Sequence, residues 1–264
     1  MKNHFITPYI GNKRDEVDII YENIKPYIDD KKIIIEPFCG SSSISYYISL
    51  QQPNKYKYIL NDLDKNLIEL YKIMKDEDKL KKFVDDINKI CFINNEFIDK
   101  ETYINLIKKD DLYAWYISRK YYNFRQGIYP IEKLKKRILL DYDKIKETPI
   151  LHFLRTEDIE FKNMEAIDIY EEYKNNEEVF FIMDPPYMMA CNYFYDNDKT
   201  KKLNIYEYFN YNHTNNNNIC FVLENNWIIN LLFKNYKRIE YDKKYNGYKR
   251  KNVKHIILIN DFHK

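Results

Sequence analysis

The sequence predicts an α/β fold: a mostly parallel sheet whose chain is interrupted by a small helical insert. Three observations carry this reading. Short apolar runs such as "KKIIIEPF", "KYILND", "EVFFIMD", "NICFVLEN" and "VKHIILIND" have the length and β-branched content of buried strands. Stretches with apolar residues every three or four positions follow several of them, as helices do in βαβ units. From residue 76 to residue 148 the pattern turns charge-rich and helical throughout, as in "DKLKKFVDDINKICF". With 264 residues the chain can form one core domain carrying such an insert.

The first strand is the run Ile33, Ile34, Ile35, ended by Glu36 and Pro37. "SSSISYYISL" then starts a helix, with Ser41 or Ser42 in capping position. Gly40 stands between them, and with only 4 Gly in the chain each is expected where a side chain would clash or φ must be positive. Strand, glycine turn and helix N-terminus make a nucleotide-binding arrangement or a plain βα turn. The second strand ends at Asn61 and Asp62, and a helix carrying Leu67, Leu70, Tyr71 and Met74 on one face follows. Asp62 falls at the roughly 20-residue offset after the glycine at which an acid meets ribose hydroxyls; the alternative role is a helix N-cap. After the insert, "PILHFLR" reads as a further strand, followed by "EVFFIMD", "NICFVLEN" and the terminal "VKHIILIND".

The segment "VFFIMDPPYMM" ends a strand in a carboxylate, two prolines and an aromatic ring. Ligands of open parallel sheets bind at the carboxyl ends of strands, and Asp184 belongs at such an end. Pro185 and Pro186 stiffen the turn and contribute carbonyl acceptors without N–H donors. That acceptor wall suits an exocyclic amino group on a heterocycle. One N–H would go to the Asp184 carboxylate and another to the Pro185 carbonyl, which concentrates the nitrogen lone pair, while Tyr187 stacks on the ring. A base in a duplex would have to leave the stack to arrive there, at a cost of a few kcal/mol.

Hydrophobic residues make up 45% and charged ones 32%, which excludes a disordered chain. The net charge of +2 announces no overall affinity for nucleic acid, so any such contact must come from local clusters. Cys39, Cys91, Cys191 and Cys220 are dispersed, with no paired spacing for zinc, and are expected to be reduced thiols. No metal is expected, and no histidine has a partner at catalytic or ligand spacing. "MKNHFITPYI" lacks the apolar core of a signal peptide and no run approaches a membrane span of about 18 apolar residues, which predicts a cytoplasmic protein with no membrane partner.

The segments "PYIGNK", "EPFCGSSSIS", "ILNDLDKNLIELYKIM", "MDPPY" and "NGYKRKNVKHIILIN" run in one order over nearly the whole chain. In this the sequence resembles the Dam-type DNA adenine-N6 methyltransferases, most closely their compact T-even phage members. The resemblance implies a Rossmann-like SAM-dependent methyltransferase sheet formed by residues 1–75 and 149–264, with residues 76–148 as an inserted helical target-recognition domain. It implies S-adenosylmethionine (SAM) as cofactor, double-stranded DNA as partner, base flipping, and Asp184, Pro185, Pro186 and Tyr187 as catalytic residues. Cofactor contacts would come from Tyr9, Gly11 and Lys13, from Phe38, Cys39 and Gly40, from Asp62, Asp184, and Asp158 or its neighbour Glu157. A restriction endonuclease acting on the same site is a further partner of such enzymes.

Two departures from the family pattern matter. A second glycine is often present in the first loop where this chain has Ser41 or Ser42. The recognition segment "YYNFRQGIYP" supplies Arg125, Gly127 and Pro130 but no Pro-Phe-Gly, so a GATC target does not carry over. Arg119 and Arg125 are the candidates for base-edge or phosphate contact. Lys249, Arg250 and Lys251, with Lys243, Lys244 and Lys254, bracket the hairpin signal "YNGY", and would suit a phosphate backbone with steep salt dependence. Two other readings stay open: an inactive DNA-binding or subunit-forming homologue, and methylation of an RNA or protein amide.

Overall fold

The structure is a computed structural model that describes residues 6, 12–94, 96–109, 111–121, 139–186, 218–234, 236–244 and 252–260. The chain divides into two compact units, one of Lys13–Leu63 and Glu157–Lys264, the other of Met1–Asn12 and Asp64–Thr156.

The first unit is built on a seven-stranded sheet. In chain order its described elements are α1 (Val17–Ile28), β1 (Ile33–Glu36), α2 (Ser43–Gln51), β2 (Lys57–Asn61), β5 (Asp158–Lys162), α9 (Ala166–Tyr173), β6 (Val179–Met183), β7 (Asn218–Glu224), α10 (Trp227–Leu232), β8 (Lys237–Lys244) and β9 (Asn252–Asn260). The strands lie in the order β5-β2-β1-β6-β7-β9-β8. From β5 to β7 all pairs are parallel, and β9 enters antiparallel between β7 and β8.

Both faces of the central strands are buried, which is why they read as unbroken apolar runs. On one face Ile35, Ile59, Phe181, Met183, Phe221 and Leu258 pack with Tyr170 of α9 and Ile229 and Phe233 in and after α10. The alternate residues Ile34, Tyr58, Phe180, Ile182, Val222 and Ile257 are equally buried. The two edge strands, β5 (DIEFK) and β8 (KRIEYDKK), are instead rich in charge, which discourages pairing with other chains. The same charge hid β5 from a reading based on apolar runs. The hairpin signal fits the antiparallel pairing of β8 with β9; its turn, residues 245–251, lies outside the described residues.

The second unit is helical. It contains α3 (Lys65–Lys75), α4 (Glu77–Cys91), the short antiparallel pair β3 (Phe92–Ile93) and β4 (Glu96–Phe97), α5 (Lys100–Ile107), α6 (Leu112–Tyr121), α7 (Tyr142–Lys146) and α8 (Pro149–Thr156). Aspartates start five of these helices: Asp64, Asp76, Asp99, Asp111 and Asp141 each accept N–H groups of the first turn. Leu80, Phe83, Val84 and Ile87 form the buried stripe of α4, where Phe83 meets Tyr116 edge-on at 5.1 Å.

One expected strand is a helix. "PILHFLR" forms α8, because Ile150, Leu151, Phe153 and Leu154 also satisfy helical spacing and Pro149 sits at the first helical position, where its missing N–H costs nothing. His152 faces out between them, the exposed gap that a short apolar run conceals. The insert expected at residues 76–148 thus stands beside a compact helical unit, Asp64–Thr156, that also takes in α3 and α8.

Phe181 is fully buried, with Tyr170 at 5.3 Å. Phe181→Ala is expected to destabilise the sheet unit by roughly 3–5 kcal/mol, read as a lower midpoint in guanidinium unfolding followed by circular dichroism.

Candidate active site

At the carboxyl edge of the sheet, β1 and β6 are neighbours, paired with Ile35 opposite Phe181. From β1 the chain proceeds outward to β2, and from β6 outward to β7, so the strand order reverses between them. This is the switch point at which open parallel sheets bind ligands. It brings the loop after β1, Pro37–Gly40, beside the loop after β6, Asp184–Pro186.

The first loop is tied to β2 and β5. Asn61, fully buried, donates through Nδ2 to the carbonyls of Pro37 and Met164, both at 2.9 Å, and accepts the Met164 N–H at 3.0 Å. Cys39 N–H donates to the Asn61 carbonyl at 2.8 Å. Gly40 turns with φ 48°, and its N–H donates to Asp62 Oδ2 at 3.0 Å. The cap of α3 is Asp64, which accepts from the amides of Asn66 and Leu67, so Asp62 is released from that duty. An aligned carboxylate beside a residue without Cβ fits the ribose diol of a nucleoside cofactor.

Ser42 occupies the N-cap position of α2 but makes no side-chain cap bond, since it sits at φ 49° instead of in extended geometry. It thereby takes the conformation a second glycine would adopt, at a cost of roughly 1–2 kcal/mol for an L-residue. The cap is supplied from the strand: Glu36 Oε1 accepts the Ser45 N–H at 2.9 Å. Burial pushes the Glu36 carboxyl up to about 7 against the Ser45 hydrogen bonds, and the Asp184 charge adds to the rise.

Asp184 is paired with Lys13 (Nζ to Oδ2, 2.6 Å), their side chains 15% and 4% exposed. Burial raises the Asp184 carboxyl above its ordinary range, opposed by the Lys13 ammonium. Behind this pair lies Glu16, also buried. Its carboxylate accepts from Tyr241 OH at 2.7 Å, lies 2.6 Å from His255 Nδ1 and pairs with the Lys243 ammonium. Burial alone would raise Glu16; the His255 contact and the Lys13 and Lys243 charges hold it down at about 2.

The structure therefore brings together Lys13, Phe38, Cys39, Gly40, Asp62, Asp184, Pro185 and Pro186 at one edge of the sheet. Burial drives the Cys39 thiol well above its ordinary value, so it is a wall of the loop and not a nucleophile. Asp158 is a correction. It opens β5, opposite Lys57 at the amino end of β2, whereas the carboxyl edge is reached at Lys162. Glu157 is at the same wrong end, accepting the Asn54 N–H. The residues that β5 delivers to the site are Asn163, whose Nδ2 donates to the Asp62 carbonyl at 2.7 Å, and Met164.

In the helical unit, Arg119 stacks on Trp115 at 3.8 Å and pairs with Asp64 at 3.3 Å, and Trp115 Nε1 donates to the same Asp64 oxygen at 2.6 Å. Tyr9, Gly11, Tyr187, Arg125, Lys249, Arg250 and Lys251 lie outside the described residues. Lys243, expected on a phosphate-binding face, is turned inward to Glu16, while Lys254 is exposed near Glu240. His255, for which no partner was expected, has one in Glu16. Its signal was a polar residue inside the apolar run of β9. Glu36 and Asn61 were likewise missed, although each is a polar residue ending a buried strand. Among the described residues no group of His, Cys, Asp or Glu is arranged to hold a metal, and no helix is long and apolar enough to cross a membrane.

Glu36 makes a prediction about stability. A carboxyl whose proton affinity is raised by folding favours the native state below its ordinary value, 4.5, and loses that contribution as pH rises through about 7. Gln resembles the protonated acid, so Glu36→Gln is expected to gain on wild type between those limits, by about 1–3 kcal/mol at pH 8. Thermal melts at pH 5 and pH 8 measure the gap; an equal gap at both would contradict the assignment.

Solved structures similar to this chain include the rRNA methyltransferase aviRa of Streptomyces viridochromogenes, 11% identical over 98% of this chain and 90% of that one, with a TM-score of 0.46. Another is the N-terminal domain of human METTL16 in complex with SAH, 8% identical over 98% and 73%, with a TM-score of 0.36. Among curated proteins nothing matches. The family model for D12 class N6 adenine-specific DNA methyltransferase matches residues 9–256. With that match running through the β1 loop, the Asp-Pro-Pro turn and the closing strands of the sheet, the chain belongs to the D12 class N6 adenine-specific DNA methyltransferases.

Proposed function

We propose that Asp184 and the Pro185 carbonyl receive the two N–H bonds of an adenine amino group swung out of double-stranded DNA, with Tyr187 stacked on the base. The observation that carries this assignment is the Lys13–Asp184 pair, 2.6 Å apart and largely withdrawn from water. Burial disfavours an ionised carboxylate, and the Lys13 ammonium beside it opposes that effect and favours the acceptor form of Asp184. Accepting both N–H bonds holds the nitrogen lone pair out of conjugation and in line for attack. The residual proton affinity of Asp184 equips it to take the proton that the amino nitrogen sheds afterwards.

SAM, when bound, supplies the electrophilic methyl carbon. Asp62 would take its ribose and the Phe38–Gly40 turn its methionine end, with Tyr9, Gly11 and Lys13 completing the site. The fit rests on the Gly40 turn with its amide on Asp62 and the release of Asp62 from helix capping. The helical unit is our candidate for reading the target sequence, through Arg125 and through Arg119 if it leaves Asp64. The basic residues Lys249, Arg250 and Lys251 would hold phosphates. Such methylation, carried out in the cytoplasm, would shield sites from an endonuclease that cuts the same sequence.

Asp184→Ala is expected to lower the turnover of labelled-methyl transfer to unmethylated duplex DNA by at least about 10²–10³-fold, with SAM affinity by calorimetry nearly unchanged. Transfer at the wild-type rate would remove the role given to Asp184. Transfer to RNA or protein in preference to duplex DNA would remove the substrate.

A further inference from the structure

We propose that Glu16 is a positioning residue for methyl transfer, fixing the turn that carries Lys13 so that its ammonium meets Asp184. The inference rests on the role proposed above for Asp184 and extends it to a residue that touches neither base nor cofactor.

Glu16 stands at the N-cap of α1, yet its side chain makes no capping bond. It is turned inward, 3% exposed, where its carboxylate meets Tyr241 OH, His255 Nδ1 and the Lys243 ammonium. Tyr241 and His255 are direct partners across β8 and β9, their rings 5.7 Å apart at 71°, and His255 is in turn opposite Glu224 of β7. The carboxylate is thus anchored on two adjacent strands, β8 and β9. Its own N–H donates to the Lys13 carbonyl at 2.7 Å, closing the turn, and its carbonyl accepts from Ile20, joining that turn to α1. From this fixed turn the Lys13 side chain reaches Asp184, 171 positions away in sequence.

A buried ion cluster is weak evidence of stabilisation, since apolar residues of similar volume often serve as well or better. Its distinctive property is geometric: charges alternate from Glu16 to Lys13 to Asp184, and Lys243 is paired with Glu16, so each ammonium has a defined place. A Lys on four flexible methylenes needs such a frame, because displacement of about 1 Å at a reacting centre can cost on the order of 10²-fold in rate. The low proton affinity of Glu16 keeps its charge present at neutral pH.

The test is a double-variant cycle in the full-length enzyme, with labelled-methyl transfer to duplex DNA under single turnover. Wild type, Glu16→Gln, Lys13→Ala and the combined variant are compared, with SAM affinity by calorimetry and a thermal melt for each. Glu16→Gln is expected to slow transfer about tenfold or more with SAM affinity changed less than about threefold, and to add little in the Lys13→Ala background. Tyr241→Phe, which removes one donor to Glu16 and leaves the ions in place, is expected to give a smaller slowing that also vanishes in that background. If Glu16→Gln does not fold, Tyr241→Phe alone decides. Wild-type rates in the folded variants, or the same fractional loss with and without Lys13, would overturn the inference. A fully active Lys13→Ala or Asp184→Ala enzyme would instead overturn the reading on which it rests.

Discussion

Glu16 and Glu36 are buried and Asp184 is largely withdrawn from water, and a carboxylate so placed must be matched by a cation, by donors or by a proton. The chain uses a different answer for each. Asp184 has the Lys13 ammonium. Glu16 has a phenol, an imidazole and two ammonium charges. Glu36 has the Ser45 N–H and a proton it holds up to about pH 7. Because Asp184 raises Glu36 and Glu16 raises Asp184, the three cannot be varied independently.

Much of the site's scaffolding is polar for a second reason. Asn61 spends both ends of its amide joining the loops after β1 and β5, and its neighbour Asp62 takes the Gly40 amide. These bonds occur where the central strands end and the ladder can no longer satisfy backbone groups, so the side chains take over. The same polar residues that finish the sheet thereby fix the loop after β1.

The antiparallel strands contribute more than closure of the sheet edge. β9, inserted between β7 and β8, places His255 where it supports Glu16, and β8 places Tyr241 and Lys243 there as well. Residues from the last tenth of the chain thereby act on the turn at Lys13, near its start. The helical unit repeats the theme locally: Asp64 caps α3 and gathers Trp115 and Arg119 about the same carboxylate.

The strands could be read from the order of residues wherever burial covers both faces. Ile33–Ile35 and Val179–Met183 admit no polar residue, and the Asp-Pro-Pro turn and Gly40 carry their chemistry in the residue types themselves. Local pattern was insufficient where two periods fit the same residues, as in α8, or where charge masked an edge, as in β5 and β8. It also gave no means of telling which end of a strand an acid occupies, and so assigned Asp158 to an edge it does not reach. The partnerships of Lys13 with Asp184 and of Glu16 with His255 join residues 171 and 239 positions apart. No periodicity spans such distances; strand order, register and the turn before α1 bring these groups within hydrogen-bonding reach, and burial then favours their pairing.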